Sequence, residues 1–377
     1  MSDTLTSPIR MVDLHGQYLA IKEEVDAALS EVLTQTSFIN GPAVRAFECD
    51  LAGYLDGPYT LGVANGTDAL QIAMMALGIG PGDEVITTAF TFIATAEAAA
   101  LLGATPVFAD IEPDTFNIDP AKIEALITER TKAIVPVHLF GQPADLDPML
   151  ALGKTYGIPI IEDTAQAIGA EYKGCKVGFL GDIGTLSFFP SKNLGCYGDG
   201  GAVLTPSAAW FEAMKLVANH GSKRKYFNEV VGINSRLDAM QAAILGVKLK
   251  YLDQYIAARR AAANRYDALL GDVEALVLPH RAPDRTHVFH QYTLRVTDGQ
   301  RDALSAHLKT EGIPHAIYYP KALHQLPVFA DGPAQARWDD LTETIRASGE
   351  VLSLPMHTEL DGGQQSLIAE VIRRFFA

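Results

Sequence analysis

A single lysine, Lys192, lies between an apolar run and a glycine-dense turn in the segment GTLSFFPSKNLGCYGDGG. Apolar residues that we expect to be buried flank it on both sides: Leu186, Phe188, Phe189 and Leu194. Loss of water lowers the pKa of a lysine and makes its neutral amine available as a nucleophile. The segment therefore predicts a lysine that forms a Schiff base with a carbonyl compound, and a salt-bridged structural lysine is the alternative.

Other residues at the ends of predicted strands could bind a flat, phosphorylated ligand. Gly66 and Thr67, in ANGTDALQ, lie where the free amides at the start of a helix favour a phosphate. Asp163 follows the strand IPII and could hold a proton on a ring nitrogen, and Phe92 could stack on a flat ring. Each feature also has a structural alternative. Gly66 and Thr67 could belong to a capped helix start, Asp163 could be a helix cap or metal ligand, and Phe92 could be a core phenylalanine.

These features, together with Lys192 and Ser187, predict one cofactor. They require a ligand with a phosphate, a flat ring, a ring nitrogen and an aldehyde. Pyridoxal 5′-phosphate (PLP) has all four, since its aldehyde condenses with a lysine amine while its pyridinium ring withdraws electrons from the bond being broken.

Composition limits the possible partners. The chain has 377 residues, of which 48% are hydrophobic and 20% charged, as in ordinary globular proteins of two or three domains. A formal net charge of −15 argues against a general nucleic-acid or anionic-membrane surface, although not against a local phosphate pocket. The cysteines, Cys49, Cys175 and Cys196, are widely spaced and show no disulfide or metal motif. No signal peptide or membrane span is evident, so we expect a cytoplasmic protein.

The order of predicted elements indicates an α/β fold. Two helical segments, at 16–34 and 42–55, precede a region from about residue 59 to 205 in which β-rich apolar runs alternate with helical stretches, including PAKIEALI. This alternation predicts a mostly parallel sheet flanked by helices. Ser235 to about Leu270 reads as one long helix capped by Asn234-Ser235. The strand HQYTLRV, a helix near 301–311 and a terminal helix follow, so we predict a large PLP-binding domain over 1–249 and a small α+β domain over 250–377.

Motifs along nearly the whole chain resemble those of one known family, the DegT/DnrJ/EryC1/StrS sugar-nucleotide aminotransferases of fold-type I. The matching segments are VDLHGQY, ANGTDALQ, PGDEVIT, ATAEAAALLGATPVFADI, TKAIVPVHLFGQPAD, IEDTAQAIGA, SFFPSKNLGCYGDGGA, GINSRLDAMQAA and LSLPMH. The phrase PSKNLGCYGDGG looks most like the branch that acts on 3-keto sugars.

The resemblance implies a homodimer and a role for each matching residue in cofactor binding. Lys192 matches the Schiff-base lysine, and Asp163 matches the partner of the ring nitrogen. Gln166 matches the partner of the ring hydroxyl, and Phe92 matches the aromatic residue that stacks on the ring. The phosphate cradle is matched by Gly66, Thr67 and Ser187, and Asn234 matches a residue that reaches the phosphate from the neighbouring subunit.

Substrate contacts are implied less directly. Arg236 could contact a sugar or carboxylate across the dimer, and Tyr319 and His324 lie in a pocket region. Tyr318 stands where relatives often have histidine. Lys223-Arg224-Lys225 could meet a nucleotide diphosphate, or lie in a solvated loop.

The function that the resemblance implies is transfer of an amino group from L-glutamate to the C3 keto group of a nucleotide-linked sugar, for a surface polysaccharide or lipopolysaccharide. The favoured substrate is UDP-2-acetamido-2-deoxy-3-keto-glucose or its uronic acid. A dTDP-linked 3-keto-6-deoxyhexose is the alternative. A PLP-dependent sugar dehydratase would carry histidine in place of Lys192, and a non-catalytic sugar-nucleotide binder or regulator is a rival of another class.

Overall fold

The computed structural model of the chain describes residues 8–332 and 334–377. The α-helices are α1 (Leu14–Ala20), α2 (Lys22–Gln35), α3 (Pro42–Tyr54), α4 (Gly66–Ala76), α5 (Ala94–Leu101), α6 (Leu146–Tyr156), α7 (Ala208–Ala218), α8 (Ala239–Leu249), α9 (Leu252–Leu270), α10 (Arg301–Thr310), α11 (Pro327–Ala330), α12 (Thr342–Glu350) and α13 (Gly362–Phe376). Single 3₁₀ turns occur at Pro120–Lys122, Glu124–Leu126, Leu139–Gly141 and Leu323–Gln325.

The strands are β1 (Tyr59–Val63), β2 (Glu84–Thr88), β3 (Thr105–Ala109), β4 (Thr131–Ile134), β5 (Ile161–Asp163), β6 (Glu171–Tyr172), β7 (Cys175–Lys176), β8 (Ile183–Ser187), β9 (Gly201–Thr205), β10 (Ser222–Arg224), β11 (Phe227–Asn228), β12 (Leu276–Val277), β13 (Tyr292–Val296), β14 (Arg337–Trp338) and β15 (Val351–Leu354). The predicted β-rich runs correspond to β1–β5, β8, β9 and β13, whereas the short strands β6, β7, β10–β12, β14 and β15 were not predicted.

The central sheet is mostly parallel, as the alternation of strands and helices predicted. Its two halves have the strand orders β1-β9-β8-β5 and β14-β3-β2-β4. Parallel bridges from Ile134 to Ile160 and from Val137 to Asp163 connect them. Within these halves β9 alone pairs antiparallel, with β1 and β8. The polypeptide therefore leaves β2, β4, β5 and β8 on the same edge of the sheet, where ligands bind in such folds.

Helices cover both faces of this sheet, because its strands are apolar on both sides. One core includes Phe47 of α3, Met149 of α6 and Leu245 of α8. The other includes Ala73 of α4 and Met214 of α7. The α/β fold class is confirmed.

The C-terminal part combines a small antiparallel sheet with helices, again as predicted. The sheet has the order β12-β13-β15 and packs with α9, α10 and α13 around a separate core that includes Tyr266, Tyr292 and Ile372. The chain also returns to the central sheet, where β14 pairs with β3 and Phe329 packs against Phe108. The boundary at 249/250 stays a prediction, and residues 1–7 of the predicted large domain lie outside the described residues.

The prediction of one helix from Ser235 to Leu270 is wrong. The chain turns at Lys250 and Tyr251, because α8 packs on α2 and α3 whereas α9 packs on α13. Ser235 does not cap α8; its Oγ accepts a hydrogen bond from the backbone N–H of Ala64 instead (3.0 Å). The helix predicted at PAKIEALI is also wrong, since this segment forms two 3₁₀ turns.

None of the described helices combines the length and the apolar character needed to cross a lipid bilayer.

Candidate active site

A cavity of about 470 Å³ lies at the carboxyl ends of β5 and β8 and at the start of α4. The predicted site residues that line it are Gly66, Thr67, Phe92, Asp163, Gln166, Ser187, Lys192, Tyr318 and Tyr319. The structure thus brings together residues separated by long stretches of chain. Asn234, Arg236 and His324 do not line this cavity.

A larger cleft of about 1120 Å³ lies at the opposite, amino-terminal ends of β4, β5 and β8. Thr131, Ile160 and Asp182 are among the residues that line it, and none of the predicted site residues does. Since ligands in open α/β sheets bind at the carboxyl ends of the strands, we assign the chemistry to the smaller cavity.

One end of the cavity suits an anion. Asn65 caps α4, its Oδ1 accepting from the backbone N–H of Asp68 (2.8 Å). The amides of Gly66 and Thr67 open the helix and have no carbonyl partner within it, so they can bind a phosphate. A Cβ on Gly66 would lie only 2.6 Å from the Cβ of Ser187, so this position needs glycine for α4 to approach the end of β8.

The carboxylate of Asp163 is held in a defined orientation at the end of β5. Its Oδ2 accepts a hydrogen bond from Oγ1 of Thr95 (2.7 Å), and its Oδ1 accepts from the backbone N–H of Ala165 (3.2 Å). The sequence reasoning missed Thr95. Its signal was a hydroxyl in the first turn of an alanine-rich helix, ATAEAAAL, which is the first helix after β2.

Lys192 lies at the tip of a tight loop, is half-buried and lines the cavity. Its Nζ makes no hydrogen bond or ion pair with the described residues. Burial lowers the pKa of Lys192 to about 8, and the charge of Asp163 opposes this effect. Roughly a tenth of the amine is then unprotonated at pH 7, far more than for a lysine in water.

Burial of the residues around Lys192 follows the prediction except at Phe189. Leu186, Phe188 and Leu194 are buried, whereas Phe189 is largely exposed and lines the cavity. The reason is that the chain leaves the sheet after Ser187, so its side chains no longer alternate between two covered faces.

Phe92 can serve as a stacking surface, whereas Phe90 belongs to the core. Phe92 lines the cavity and is 56% exposed, so a ring could stack on it. Phe90 is fully buried and packs edge-on against Tyr319 and Phe140. The alternative of a core phenylalanine therefore applies to Phe90 and not to Phe92.

Gln166 is held by protein contacts at both ends of its amide. Its Oε1 accepts from the backbone N–H of Phe140 (2.7 Å), and its Nε2 donates to the hydroxyl of Tyr319 (3.2 Å). One amide N–H remains for a ligand. Burial raises the pKa of Tyr319, so its hydroxyl stays protonated and can donate into the cavity.

The structure places the remaining predicted residues elsewhere. Asn234 is exposed, and Arg236 donates from Nη1 to Oδ1 of Asn219 (3.4 Å). His324 is buried against the ring of Trp338, with 5.4 Å between the ring centroids. These side chains do not contribute to the cavity of the same protomer.

Further residues that line the cavity were missed, among them His290. It directly precedes β13, in HQYTLRV, which the sequence marked only as a strand. Burial, and next the charge of Lys192, lower the pKa of His290 well below its usual range. The imidazole is therefore neutral at physiological pH.

Comparison with known protein families gives one match along almost the whole chain. The sequence model of the DegT/DnrJ/EryC1/StrS aminotransferase family matches residues 19–373.

Individual proteins are similar over nearly their full lengths. A pleiotropic regulatory protein of Geobacillus stearothermophilus is 49% identical, covering 98% of this chain and 98% of the relative. The UDP-N-acetyl-3-dehydro-alpha-D-glucosamine 3-aminotransferase of Acidithiobacillus ferrooxidans is 47% identical (98% and 99% covered). The UDP-2-acetamido-2-deoxy-3-oxo-D-glucuronate aminotransferase of Pseudomonas aeruginosa is 46% identical (97% and 99% covered).

Solved structures share the fold. The crystal structure of S. venezuelae DesV superposes with a TM-score of 0.94 at 39% identity, covering 98% of this chain and 99% of that one. The structure of ntda from Bacillus subtilis with bound cofactor PMP has a TM-score of 0.90 at 32% identity, covering 100% and 87%. The predicted fold type is confirmed.

Proposed function

The chain belongs to the DegT/DnrJ/EryC1/StrS aminotransferase family, and from this premise we propose that it transfers an amino group from L-glutamate to the C3 keto group of a nucleotide-linked sugar. The observation that carries the proposal is the arrangement of Lys192 and Asp163 at the ends of neighbouring parallel strands. There a half-buried amine of lowered pKa and an oriented carboxylate line one cavity.

PLP is the cofactor of this family, and the residues of the cavity fit it. The start of α4 and Ser187 form a cradle that a Cβ on Gly66 would fill. Phe92 offers a free aromatic face, and Asp163 a fixed carboxylate for a ring nitrogen. When bound, PLP supplies an electron-withdrawing ring and a carbonyl that carries the amino group between the two substrates.

Different side chains of the protein then have different roles in the proton transfers. The neutral amine of Lys192 removes the proton from the α-carbon of glutamate and later delivers a proton to C3 of the sugar, as base and then acid. The oriented carboxylate of Asp163 would hold a proton on the ring nitrogen, which stabilises negative charge as it develops. Gln166 and Tyr319 keep hydrogen-bond donors facing the same space.

The favoured sugar is UDP-2-acetamido-2-deoxy-3-keto-glucose or its uronic acid. Two relatives of nearly full-length similarity are named for UDP-linked 3-oxo sugars, one with and one without the uronic acid. A dTDP-linked 3-keto-6-deoxyhexose remains the alternative. We propose the cytoplasm, where nucleotide sugars are made, as the location.

Two rival functions are less well supported by the site. A sugar dehydratase on this scaffold would have histidine at the position of Lys192. The other rival is a regulator that only binds nucleotide sugars, and the name of one relative describes a regulatory protein. Binding alone, however, does not require a desolvated amine that makes no ion pair with the described residues, because loss of water destabilises a charged amine.

The direct test supplies purified holoenzyme with L-glutamate and a panel of UDP- and dTDP-linked 3-keto and 4-keto sugars, and follows products by mass spectrometry. We expect a UDP-linked 3-amino sugar, with 2-oxoglutarate released in equal amount. Amination of the dTDP-linked sugars only would support the alternative substrate. Absence of any amino sugar would contradict the proposed function.

We further propose a homodimer in which Asn234 and Arg236 complete the cavity of the neighbouring subunit. Neither residue lines the cavity of its own protomer. The adjacent hairpin, β10–β11 with the residues after it, exposes large apolar side chains, including Tyr226 (85% exposed) and Val231 (86%). Such an apolar patch is typical of a protein interface. Lys223, Arg224 and Lys225 on the same hairpin would face the partner's substrate.

Mixing two inactive variants tests whether sites are shared. Lys192→Ala removes the amine, and Asn234→Asp places a carboxylate beside the partner's phosphate, where like charges repel. After unfolding and refolding together, hybrid dimers would contain one intact site, so roughly a quarter of wild-type activity should return. If activity stays at the sum of the separately refolded variants, Asn234 serves its own subunit or none.

A further inference from the structure

Lys248 is a buried lysine that lies behind the loop that carries Lys192. It belongs to α8 and is only 1% exposed. Its Nζ donates a hydrogen bond to the backbone carbonyl of Gly195 and lies 5.3 Å from the ring centroid of Tyr197. No ion pair to Lys248 occurs among the described residues, and burial lowers the pKa of Lys248 to about 8.

Fold stability does not explain this buried charge. An ammonium with one carbonyl acceptor and one aromatic ring recovers only part of the hydration it loses. Apolar side chains of similar volume are often as stable or more stable at such sites. A contribution to the geometry of the neighbouring loop is the remaining physical reason for a lysine here.

The carbonyl that Lys248 holds is at the base of the Lys192 loop. The loop closes where the backbone N–H of Cys196 donates to the carbonyl of Phe188 (2.8 Å). Gly195 lies directly against Pro190 across the loop, since a Cβ on Gly195 would be 2.3 Å from the carbonyl oxygen of Pro190. A shift of Gly195 would therefore move both sides of the loop and change the direction of Lys192 at its tip.

Helix α8 holds this base at two points. Gln241 precedes Lys248 by seven residues and so lies on the same face of the helix. Its Oε1 accepts a hydrogen bond from the backbone N–H of Tyr197 (2.9 Å). Upstream of α8, Ser235 accepts from the N–H of Ala64, next to the phosphate cradle. Helix α8 and the segment just before it thus contact the base of the lysine loop and the anion end of the cavity, respectively.

We propose that Lys248 is a positioning residue for Lys192: its buried ammonium anchors the Gly195 carbonyl to α8 and so fixes the loop that presents the Lys192 amine. The effect of Lys248 on amino transfer rests on the proposed function, whereas its structural coupling to Lys192 does not. An experiment can therefore contradict the proposed function or the structural coupling without contradicting the other.

The test compares Lys248→Met, which keeps the length and apolar volume of the side chain, with Lys250→Met. Lys250 directly follows the same helix and lies at the surface, where it pairs with Glu24. In the full-length chain freed of cofactor, amide hydrogen exchange of residues 193–198 should accelerate about tenfold or more in Lys248→Met only. Competitive acylation with peptide mapping should show the apparent pKa of Lys192 rising from about 8 towards that of a lysine in water. The thermal midpoint should not fall.

In the holoenzyme, kcat for amino transfer should fall by about 10²-fold in Lys248→Met, because small displacements of a catalytic group have effects of this size. Unchanged hydrogen exchange and an unchanged Lys192 titration in a folded Lys248→Met would overturn the proposal, whatever the activity.

If the methionine variant does not fold, Lys248→Arg decides. This variant keeps a cationic donor and should retain both the protection of the loop and the low pKa of Lys192. Loss of both in folded Lys248→Arg would also overturn the proposal. If the wild-type holoenzyme is inactive but Lys248→Met changes loop exchange and the pKa of Lys192 as expected, only the proposed function is contradicted.

Discussion

Replacing Lys192 with alanine should lower kcat for amino transfer by at least about 10⁴-fold, because the substitution removes both the nucleophile and the acid–base group. The chain should still fold, since Lys192 is half-buried and none of the described residues would lose a hydrogen bond or ion pair to its Nζ. Turnover with glutamate and a keto sugar measures the first expectation, and circular dichroism with thermal unfolding measures the second. Lys132→Ala, at an exposed lysine in the opposite cleft, is the matched control and should retain activity.

Chemical trapping locates the reactive amine independently of turnover. Borohydride reduction of wild-type holoprotein, followed by peptide mapping, should leave a pyridoxyl group on the peptide that contains Lys192. The label should be absent from Lys192→Ala and present in the control variant. A label on another lysine, or a fully active Lys192→Ala, would show that the mechanism assigned to this residue is wrong.

Asp163→Asn should lower kcat by about 10³-fold while it increases the share of neutral Lys192 amine. The rate falls because an amide cannot keep the ring nitrogen protonated, and electrostatic contacts of this kind contribute factors near this size. The amine changes in the other direction because Asp163 raises the pKa of Lys192, so without this charge that pKa should fall below about 8. Steady-state kinetics and competitive acylation of Lys192 over pH 6–10 measure the two effects.

The local structure should tolerate this substitution. An asparagine Oδ1 can still accept from the N–H of Ala165, and its Nδ2 can donate to the hydroxyl of Thr95, which acts as acceptor in place of donor. Asp56→Asn is the matched control. Asp56 is exposed and has a left-handed backbone (φ 57°) that asparagine also adopts. A rate loss accompanied by a higher pKa of Lys192 would contradict the assigned electrostatic role.

Much of the cavity was predictable because its residues follow strand ends. In a parallel α/β sheet the chain itself places the residue after each strand on one edge. Gly66, Asp163 and Ser187 could therefore be assigned to a common edge from local order alone, before any contact was known. The α/β class followed from the same periodic pattern.

Pairings between distant parts of the chain could not be predicted in this way. Thr95 reaches Asp163 across 68 residues, and Gln166 reaches Tyr319 across 153. No local pattern encodes which of many polar residues will meet. Burial also misled the prediction at Phe189, since an apolar residue in a loop can face a ligand space as well as a core. The break between α8 and α9 depended on the helices that each packs against.

The amino-acid sequence by itself determined the fold class, the family and the types of groups at the strand ends, because these depend on short-range order along the chain. Only the tertiary structure decided that Lys192 has a half-buried amine of lowered pKa, that Lys248 bonds the base of its loop, and that Asn234 and Arg236 do not line their own cavity. Desolvation and hydrogen-bond partners are properties of the three-dimensional neighbourhood, and that neighbourhood forms only when elements far apart in sequence pack together.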